Sequence, residues 1–447
     1  MLPWFSLRSW RKRLLLVSAA LLAGTISILF AKGADEAIAF HHGLIGNHAW
    51  LAIFLAPAGF ALIAWLTMRY FPGTEGSGIP QAIAASNAEH KPVRRQFLSP
   101  RLAVAKVFLT LGGLLCGASI GREGPSVQVG ASTLHMLAGR RFGHIASSRD
   151  LIAAGAGAGI AAAFNTPLGG IMFAIEEMCR YRAFRGNSTT LIAVIFAGLM
   201  SLALLGSYTY FGRTAATISL DFPAGVWPIL LAGFLGGLFG GGFARLLIAS
   251  ARGLPGTVGA LYQRRPVVFA AGCGLATALL GLMTGGLIYG TGYNESRAAL
   301  EGASRLPYYF MFAKMAAIWL AFVARIPGGM FAPALAVGAG LGAIMTGLLP
   351  ELPPDDHAAL LVLGMVGFLA AMTQSPITAF VIVMEMTNNH QMLLPLMATT
   401  VIAYGISKSV CRVPLYHALA IPALYRAEMK YRAQQAAAET VVNHSTK

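Results

Sequence analysis

Apolar stretches separated by short polar breaks run along almost the whole chain. A helix that crosses a bilayer needs about 20 apolar residues, with a range of about 17 to 25. The long stretches cover residues 14–30, 49–71, 102–120, 190–211, 226–251, 266–288, 308–324 and 392–410. Shorter stretches cover residues 128–138, 151–163, 168–178, 334–349, 358–372 and 376–386. The pattern predicts an all-α polytopic membrane protein.

The shorter stretches contain 11 to 16 residues and are bounded by glycine and proline, so they predict helices that end inside the protein. Broken helices of this kind aim their ends at a substrate in transporters. Glycine and proline mark such helix starts at residues 76–80 and 121–125, and again at 327–333. We therefore predict one transmembrane domain over residues 14–424, with an inverted repeat whose halves span about 14–215 and 225–424.

The segments that flank this domain are rich in basic residues. Residues 1–13 precede the first apolar stretch, and residues 425–447 form a short basic tail of helical composition. Because basic residues mark cytoplasmic segments, we expect both termini in the cytoplasm. The start of the chain resembles a signal peptide, but no clean cleavage site follows, so we expect residues 14–30 to remain as a membrane helix.

Composition agrees with a protein whose main solvent is lipid. Hydrophobic residues make up 56% of the chain, charged residues 11%, and the mean hydropathy is +0.65. The formal net charge is +16, from 33 Lys and Arg against 17 Asp and Glu. The basic residues lie in separate clusters beside apolar stretches, which argues against nucleic-acid binding and hints at an anion as substrate.

Glycines recur at helix-packing spacing, for example at Gly233, Gly237 and Gly241 and in the stretch Gly155–Gly159. Small residues four apart let membrane helices approach closely. The second stretch has neither a preceding strand nor a ribose-binding acid, so it predicts packing and no nucleotide cofactor. The four cysteines show no CxxC spacing and are expected to be small core residues without a disulfide or zinc site: Cys116, Cys179, Cys273 and Cys411.

Glu123 lies in the sequence Gly-Arg-Glu-Gly-Pro directly after an apolar stretch. An ionisable residue at membrane depth marks a functional site by default. The alternative without a functional role is a loop between helices, in which Arg122 neutralises Glu123. Pro125 predicts the first turn of a helix, whose unpaired N–H groups attract anions. A charged Glu123 would compete with a transported anion for those groups, and a protonated one would withdraw, so Glu123 is a candidate gate.

Several motifs in order resemble the signature segments of the CLC chloride channel and transporter family. They are GSGIP at 76–80, GREGP at 121–125, AFNTPLGGIMFAIEEM at 163–178, GGMFAP at 328–333, MEMTNNHQ at 384–391 and VPLY at 413–416. The resemblance covers most of the chain from about Gly76 to Tyr416. It implies the CLC fold, with many broken and tilted helices, and a homodimer with one anion path per subunit in the bacterial inner membrane.

The resemblance also implies the anion site. Chloride would bind the hydroxyls of Ser77 and Tyr416 and the backbone N–H groups around Met330 and Phe331, and an outer site would lie at the amides near Gly124. Partial charges of this kind hold an anion firmly enough to select it and weakly enough to release it. Read in isolation, Ser77 is a helix cap and Tyr416 an interfacial aromatic residue.

The family pattern gives Glu123 the role of gate and external proton site, and Glu177 that of internal proton site with Glu176 beside it. Two adjacent carboxylates cannot both ionise cheaply in a low-dielectric setting. Lys106 and Arg122 would raise the electrostatic potential along the path. Acids at both positions accompany proton-coupled exchange in the family, so we predict a chloride/proton antiporter; the alternative is a passive chloride channel.

Arg325 departs from the family pattern, where Ser-Gly commonly precedes the GGxFxP turn, and either adds charge to the anion vestibule or lies at an interface. A more distant alternative is an intramembrane serine hydrolase, since residues 117–121 match GxSxG with Ser119 as nucleophile and His135 downstream. The strand and turn that this motif needs are not predicted, so we expect no enzyme. We also expect no metal site, because the region of three histidines reads as a surface loop without partner ligands: His41, His42 and His48.

Overall fold

Helices form nearly all of the described chain, as the apolar stretches predict. The computed structural model describes residues 7–140, 146–180, 188–206, 209–212, 226–349 and 354–445. The helices are α1 (Leu7–Asn47), α2 (Ala52–Arg69), α3 (Ile79–Asn87), α4 (Lys91–Arg95), α5 (Pro100–Leu115), α6 (Glu123–Arg140), α7 (Ser148–Phe164), α8 (Pro167–Glu176), α9 (Ser188–Leu205), α10 (Val226–Arg252), α11 (Gly256–Arg264), α12 (Pro266–Met283), α13 (Tyr293–Leu300), α14 (Phe310–Val323), α15 (Phe331–Leu348), α16 (Pro354–Thr373), α17 (Pro376–Thr387), α18 (Leu393–Val410) and α19 (Leu415–Ser445). Within these ranges the sole β pairing is one isolated antiparallel bridge between Gly121 and Gly329.

Eight helices of the described ranges are long and apolar enough to cross a membrane. This confirms a multi-pass membrane protein. Other helices are much shorter, among them α3 with 9 residues, α8 with 10 and α13 with 8. At 1.5 Å per residue, 10 residues cover only about half of a hydrocarbon core of about 30 Å. Of the six shorter stretches, 168–178 and 376–386 form short helices, α8 and α17, as predicted. The prediction is wrong for 334–349 and 358–372, which lie in α15 and α16, because these helices extend beyond the stretches and are long and apolar enough to cross a membrane.

The helices of the first part recur in the same order in the second part. α2 and α12 have 18 residues each, as do α6 and α15. Equivalent helices also pack together, since α2 contacts α12 and α8 contacts α17, while α6 packs on α7 as α15 packs on α16. The division that we predict between the halves falls on residues 213–225, which lie outside the described ranges.

Close contacts between helices depend on glycine, as the sequence spacing predicts. A Cβ atom at Gly155 of α7 would overlap the backbone oxygen of Gly130 in α6. A Cβ at Gly233 or Gly237 of α10 would come within 2.7 Å of an isoleucine of α18. The four cysteines form no disulfide and are buried or half-buried, which agrees with small core residues.

The first helix is longer than its apolar stretch, and this corrects the surface loop that we expect around the three histidines. The first apolar stretch, 14–30, is only part of α1, whose 41 residues continue to Asn47 through the polar positions Asp35 and Glu36. His41 and His42 consequently lie in this helix and not in a surface loop, while His48 follows its end. Residues 1–6 and 446–447 lie outside the described ranges, and most of the predicted tail continues helix α19 to Ser445.

Candidate functional site

Three helix starts converge through backbone hydrogen bonds between their loops. The N–H of Gly121 donates to the oxygen of Gly329 at 2.7 Å, and the N–H of Gly329 donates back to Gly121 at 2.6 Å. Gly328 N–H donates to the oxygen of Gly76 at 3.0 Å. The starts of α3, α6 and α15 are thereby joined, so the three glycine-containing motifs of the sequence meet in space.

The turn before α3 requires glycine. Gly78 has φ of +103°, and its N–H donates to the side chain of Gln81 at 3.0 Å, while Gln81 Nε2 donates to the oxygen of Glu75 at 2.6 Å. A Cβ atom at Gly78 would also meet the carbonyl of Gly124. The left-handed turn and the close approach to α6 together hold Ser77 against the first turn of that helix.

Ser77 and Tyr416 lie side by side with both hydroxyls buried. Neither hydroxyl makes a hydrogen bond of normal geometry with the described protein groups. Gly124 lies directly against Ser77, because a Cβ at Gly124 would overlap the Ser77 hydroxyl. Buried polar groups are almost always hydrogen-bonded, so two buried donors together suit an anion, which accepts hydrogen bonds from both.

The start of α15 supplies backbone donors to the same region. Met330 is the N-cap residue and Phe331 the first helical residue, and both are buried. The first N–H groups of a helix have no intrahelical partner, and the positive end of the helix dipole adds to their attraction for an anion. Ser77 and Tyr416 thus lie near Gly124, and the start of α15 with Met330 and Phe331 adjoins Gly124 through Gly329.

Glu123 is the first residue of α6 and is fully buried. Its Oε2 atom accepts a hydrogen bond from the N–H of Ala332 at 3.4 Å, while Oε1 has no partner among the described groups. The carboxylate thus lies at the N-terminus of α15 and next to the bridge between Gly121 and Gly329. Its contact with Ala332 is with a backbone donor of the kind that binds anions at helix N-termini.

Both predicted cations are buried, and each is engaged with its own partners. Lys106 Nζ donates to the oxygen of Thr74 at 2.7 Å and to that of Gly76, behind the loop that carries Ser77. Arg122 pairs with Asp35 of α1 at 2.6 Å, and its guanidinium lies 5.6 Å from the ring centroid of Tyr210. The partners of the two cations are therefore backbone oxygens, a carboxylate and an aromatic ring.

Sequence reasoning missed a second buried lysine in the equivalent position. Lys314 of α14 donates to the oxygens of three consecutive residues, 288–290, in the glycine-containing loop before α13. α14 precedes the loop at the start of α15 as α5 precedes the loop at the start of α6. Comparing the two halves for buried lysines in apolar stretches would have identified it.

Glu177 lies at the C-terminal end of α8 and its side chain is 1% exposed. Its Oε2 atom accepts hydrogen bonds from Arg180 at 3.0 Å and from the hydroxyl of Ser375. Tyr416 lies near the carboxylates of both Glu177 and Glu123. Both candidate proton sites are therefore neighbours of the tyrosine of the anion region.

The neighbouring Glu176 points elsewhere. Its carboxylate accepts hydrogen bonds from the N–H groups of Ile377 at 3.2 Å and Thr378 at 2.6 Å, in the first turn of α17. Consecutive helical residues project about 100° apart, so the two carboxylates take separate partners. Glu176 therefore bonds to backbone N–H groups of α17, whereas Glu177 pairs with the Arg180 guanidinium.

The structure also shows a reciprocal contact that the sequence does not reveal. Glu385, near the end of α17, accepts hydrogen bonds from Leu168 N–H at 3.1 Å and Gly169 N–H at 2.7 Å in the first turn of α8. Glu176 does the same from α8 to α17. The two short helices therefore cap each other's N-termini. These contacts fix the position of α8, which ends at Glu177.

Arg325 lies at an interface, the second of the two sequence interpretations. Its guanidinium covers the ring of Tyr262 at 4.6 Å, and its Nε–H donates to the Tyr262 hydroxyl at 3.1 Å. Nη1 of Arg325 also lies 3.5 Å from the sulfur of Met68. The residue has φ of +60°, a conformation that favours glycine, which agrees with the glycine common in the family at this turn.

The structure gives little support to the hydrolase and metal alternatives. Ser119 is buried, and the Ser119 hydroxyl lies 3.5 Å from the oxygen of Gly290. Strands are absent from the described ranges, so the elbow that a GxSxG nucleophile needs is missing there. Nδ1 of His41 bonds to the oxygen of Leu115 at 2.9 Å, and the described residues contain no cluster that could hold a metal ion.

Comparison with known proteins identifies the family. The family described as "Voltage gated chloride channel" matches residues 59–408. A slow cyanobacterial Cl−/H+ antiporter is 24% identical, with a TM-score of 0.77 over 93% of this chain and 98% of that one. A CLC-type fluoride/proton antiporter is 23% identical, with a TM-score of 0.75 over 92% of this chain and 97% of the other.

A eukaryotic CLC transporter is 20% identical, with a TM-score of 0.72 over 93% of this chain and 75% of that protein. At these identities the likeness shows the fold, and the family match over residues 59–408 shows the membership. The all-helical fold, the broken helices and the convergent helix starts agree with both. The chain belongs to the voltage-gated chloride channel family, also called the CLC family of channels and transporters.

Proposed function

We propose that this chain is a secondary active antiporter that exchanges chloride for protons. The observation that carries the proposal is that two buried carboxylates, Glu123 and Glu177, both lie near Tyr416, whose hydroxyl adjoins that of Ser77. A charged group at membrane depth is costly, and intramembrane acids mark proton relays in transporters. Two such groups beside one anion site provide the parts of a coupled exchanger.

The anion is held by dipoles in this proposal. The hydroxyls of Ser77 and Tyr416 donate to a central chloride, together with the backbone N–H groups at Met330 and Phe331. Gly124 belongs to the outer site at the first turn of α6. The two buried hydroxyls support this assignment, because neither makes a hydrogen bond of normal geometry with the described protein groups and an anion would accept from both. Lys106 and Arg122 raise the potential of the region without touching the anion.

Glu123 acts as the gate. When charged, its carboxylate occupies the backbone donors at the start of α15, as its contact with Ala332 N–H indicates. When protonated, it loses most of its attraction to these donors and leaves, and an anion takes its place. Chloride turnover should therefore rise as the pH falls, because a larger fraction of Glu123 is protonated and withdrawn. A Glu123→Gln variant should carry chloride with little dependence on pH.

Glu177 acts as the internal proton site. It is buried and lies near Tyr416, so a proton can pass between Glu177 and Glu123 beside the anion. Glu176, named with Glu177 from the sequence, contributes by capping α17, since its carboxylate is taken up by two backbone donors. Anion and proton then move in opposite directions, because the gate exchanges one for the other.

A passive chloride channel is the second candidate, and the buried Glu177 favours the antiporter over it. The serine at position 77 favours chloride as the anion; members of the family that prefer nitrate or fluoride carry another residue there. One neighbour of similar fold is described as a fluoride/proton antiporter, so fluoride is the competitor to test. The chain acts as a transporter and not as an enzyme.

We also propose a homodimer in the bacterial inner membrane with both termini in the cytoplasm. Exposed apolar side chains on α9 and α18 support a face that contacts lipid or a second subunit, among them Leu199 at 52% and Val401 at 63% exposure. Gel filtration with light scattering in mild detergent would test the dimer. A molar mass of one chain would contradict it.

The function is tested on purified protein in liposomes, with chloride efflux and proton uptake recorded in the same sample. Wild type should move both ions, Glu177→Gln should move chloride with at most a trace of protons, and Glu123→Gln should do the same. Glu385→Gln is the matched control, since it removes a half-buried carboxylate of the same helix pair. Chloride efflux without proton movement in wild type would establish the channel instead.

A further inference from the structure

The two carboxylate oxygens of Glu177 have different surroundings. Oε2 is fully engaged, because it accepts hydrogen bonds from Arg180 and from the Ser375 hydroxyl. Oε1 is buried and accepts no hydrogen bond from the described protein groups. A proton that arrives at Glu177 can therefore bind Oε1 without displacing an existing donor.

His417 is the titratable side chain next to Oε1. It is 4% exposed, and its Nε2 atom lies 3.7 Å from Oε1. The same Nε2 lies 2.9 Å from the backbone oxygen of Glu177. Because a carbonyl oxygen can only accept, Nε2 carries the hydrogen of this bond. Nε2 thus lies about 0.5 Å beyond the usual upper limit for an N–H···O hydrogen bond, about 3.2 Å, from the open carboxylate oxygen.

Arg180 and Glu176 are charged groups near this pair. Arg180, beyond the end of α8, neutralises Glu177 and also donates to the turn between α16 and α17. Glu176 is directed at the first turn of α17, and Tyr416 precedes His417 in α19. Among the residues described by the structure, the pairs within ion-pair distance of Glu177 involve Arg180 and His417. An arginine cannot give up its proton in a protein, whereas a histidine can.

We propose that His417 is a proton-carrying member of the internal site, which delivers protons to Oε1 of Glu177. This proposal rests on the proposed antiport function. In the transfer, Nδ1 first takes a proton and the ring becomes an imidazolium. The bond from Nε2 to its hydrogen then breaks and a bond from Oε1 to hydrogen forms, leaving a neutral ring protonated on Nδ1. One proton moves to the carboxylate, and no other reactant is needed.

The position of His417 also connects the proton site to the anion site. Tyr416 and His417 are consecutive residues in the first turn of α19, so a displacement of this turn moves both. Proton delivery by His417 and anion binding by Tyr416 then depend on the same short segment. This provides a physical link between the two transport steps that does not require a change elsewhere in the fold.

The test is simultaneous measurement of proton and chloride flux in liposomes with His417→Gln, which keeps an N–H donor near the Glu177 carbonyl but cannot relay a proton. General acid–base groups contribute about 10²- to 10⁴-fold to proton transfer, so proton flux should fall by roughly 100-fold where this step limits the rate. Chloride flux should stay within roughly two-fold of wild type. The matched control is His41→Gln, which replaces another buried histidine and should leave the ratio of the two fluxes unchanged.

A second variant, His417→Ala, separates proton carrying from packing. External imidazole at millimolar concentration should restore part of its proton flux, and it should have no effect on Glu177→Gln. Wild-type proton flux in His417→Gln, a parallel fall of both fluxes, or no recovery with imidazole would overturn the proposal. If wild type moves no protons, or if Glu177→Gln still does, the proposed function fails first and the two failures remain distinguishable.

Discussion

Because α8 and α17 cap each other, substitution of Glu176 and substitution of Glu385 should have the same effect, although the sequence singles out only Glu176 as a site residue. Glu176 accepts two backbone hydrogen bonds from α17, and Glu385 accepts two from α8. Both side chains are half-buried. If capping is the main role of Glu176, then Glu176→Gln and Glu385→Gln should behave alike, and neither should resemble Glu177→Gln.

The expected magnitude follows from the contacts that each substitution changes. Hydrogen bonds to a charged group contribute about 1.5–3 kcal/mol each, and a charge at a helix N-terminus contributes about 0.3–1 kcal/mol. Glutamine keeps one oxygen acceptor and loses the charge, so each variant should lower the free energy of unfolding by about 1–2 kcal/mol. For a chain larger than 250 residues this corresponds to a decrease in Tm of about 1–4 °C.

Two assays check this prediction. Thermal unfolding of purified protein in detergent, followed by tryptophan fluorescence, should give decreases in Tm for the two variants that agree within about 1 °C. Liposome measurements should show a wild-type ratio of proton to chloride flux in both. Loss of proton flux in Glu176→Gln, with normal proton flux in Glu385→Gln, would refute the capping argument and make Glu176 a proton carrier.

Three other substitutions test the packing and the choice of site. Gly155→Ala should reduce the yield of folded protein, because its Cβ would overlap Gly130 of α6. Gly43 has open space around it, so Gly43→Ala should leave the yield unchanged. Fluorescence-detected gel filtration measures the yield of both variants. Lys314→Met removes the donor of three buried carbonyls and should lower Tm, because each unsatisfied group costs about 1–3 kcal/mol. Ser119→Ala should leave both fluxes unchanged in liposomes, and loss of transport would reopen the role of that serine.

The membrane helices were predictable because apolar length is a direct consequence of bilayer thickness. The extent of α1 was not, because its second part contains Asp35 and Glu36. The second part of α1 stays helical because a tertiary contact neutralises one of its charged residues: Arg122 pairs with Asp35. The same continuation places His41 inside a helix, where the sequence indicates a loop.

The convergence of the helix starts at Gly76, Gly121 and Gly328 involves motifs that are visible in the sequence, because each motif is short and local. The surroundings of the proton site were not predictable, since Ser375 and His417 are distant from Glu177 in sequence and meet it only through the fold. The divergence of Glu176 from Glu177 follows in part from helix geometry. Its partners in α17 required the structure.

Chloride-driven proton transport by the wild-type protein tests the central claim most directly. Liposomes loaded with high chloride are diluted into weakly buffered medium of low chloride at equal pH, with a potassium ionophore to fix the voltage, and external pH is followed. The account predicts that chloride efflux drives protons inward against their developing gradient, and that collapse of this gradient by a protonophore reverses the signal. Chloride efflux with constant external pH would contradict antiport and assign the chain to passive chloride conduction.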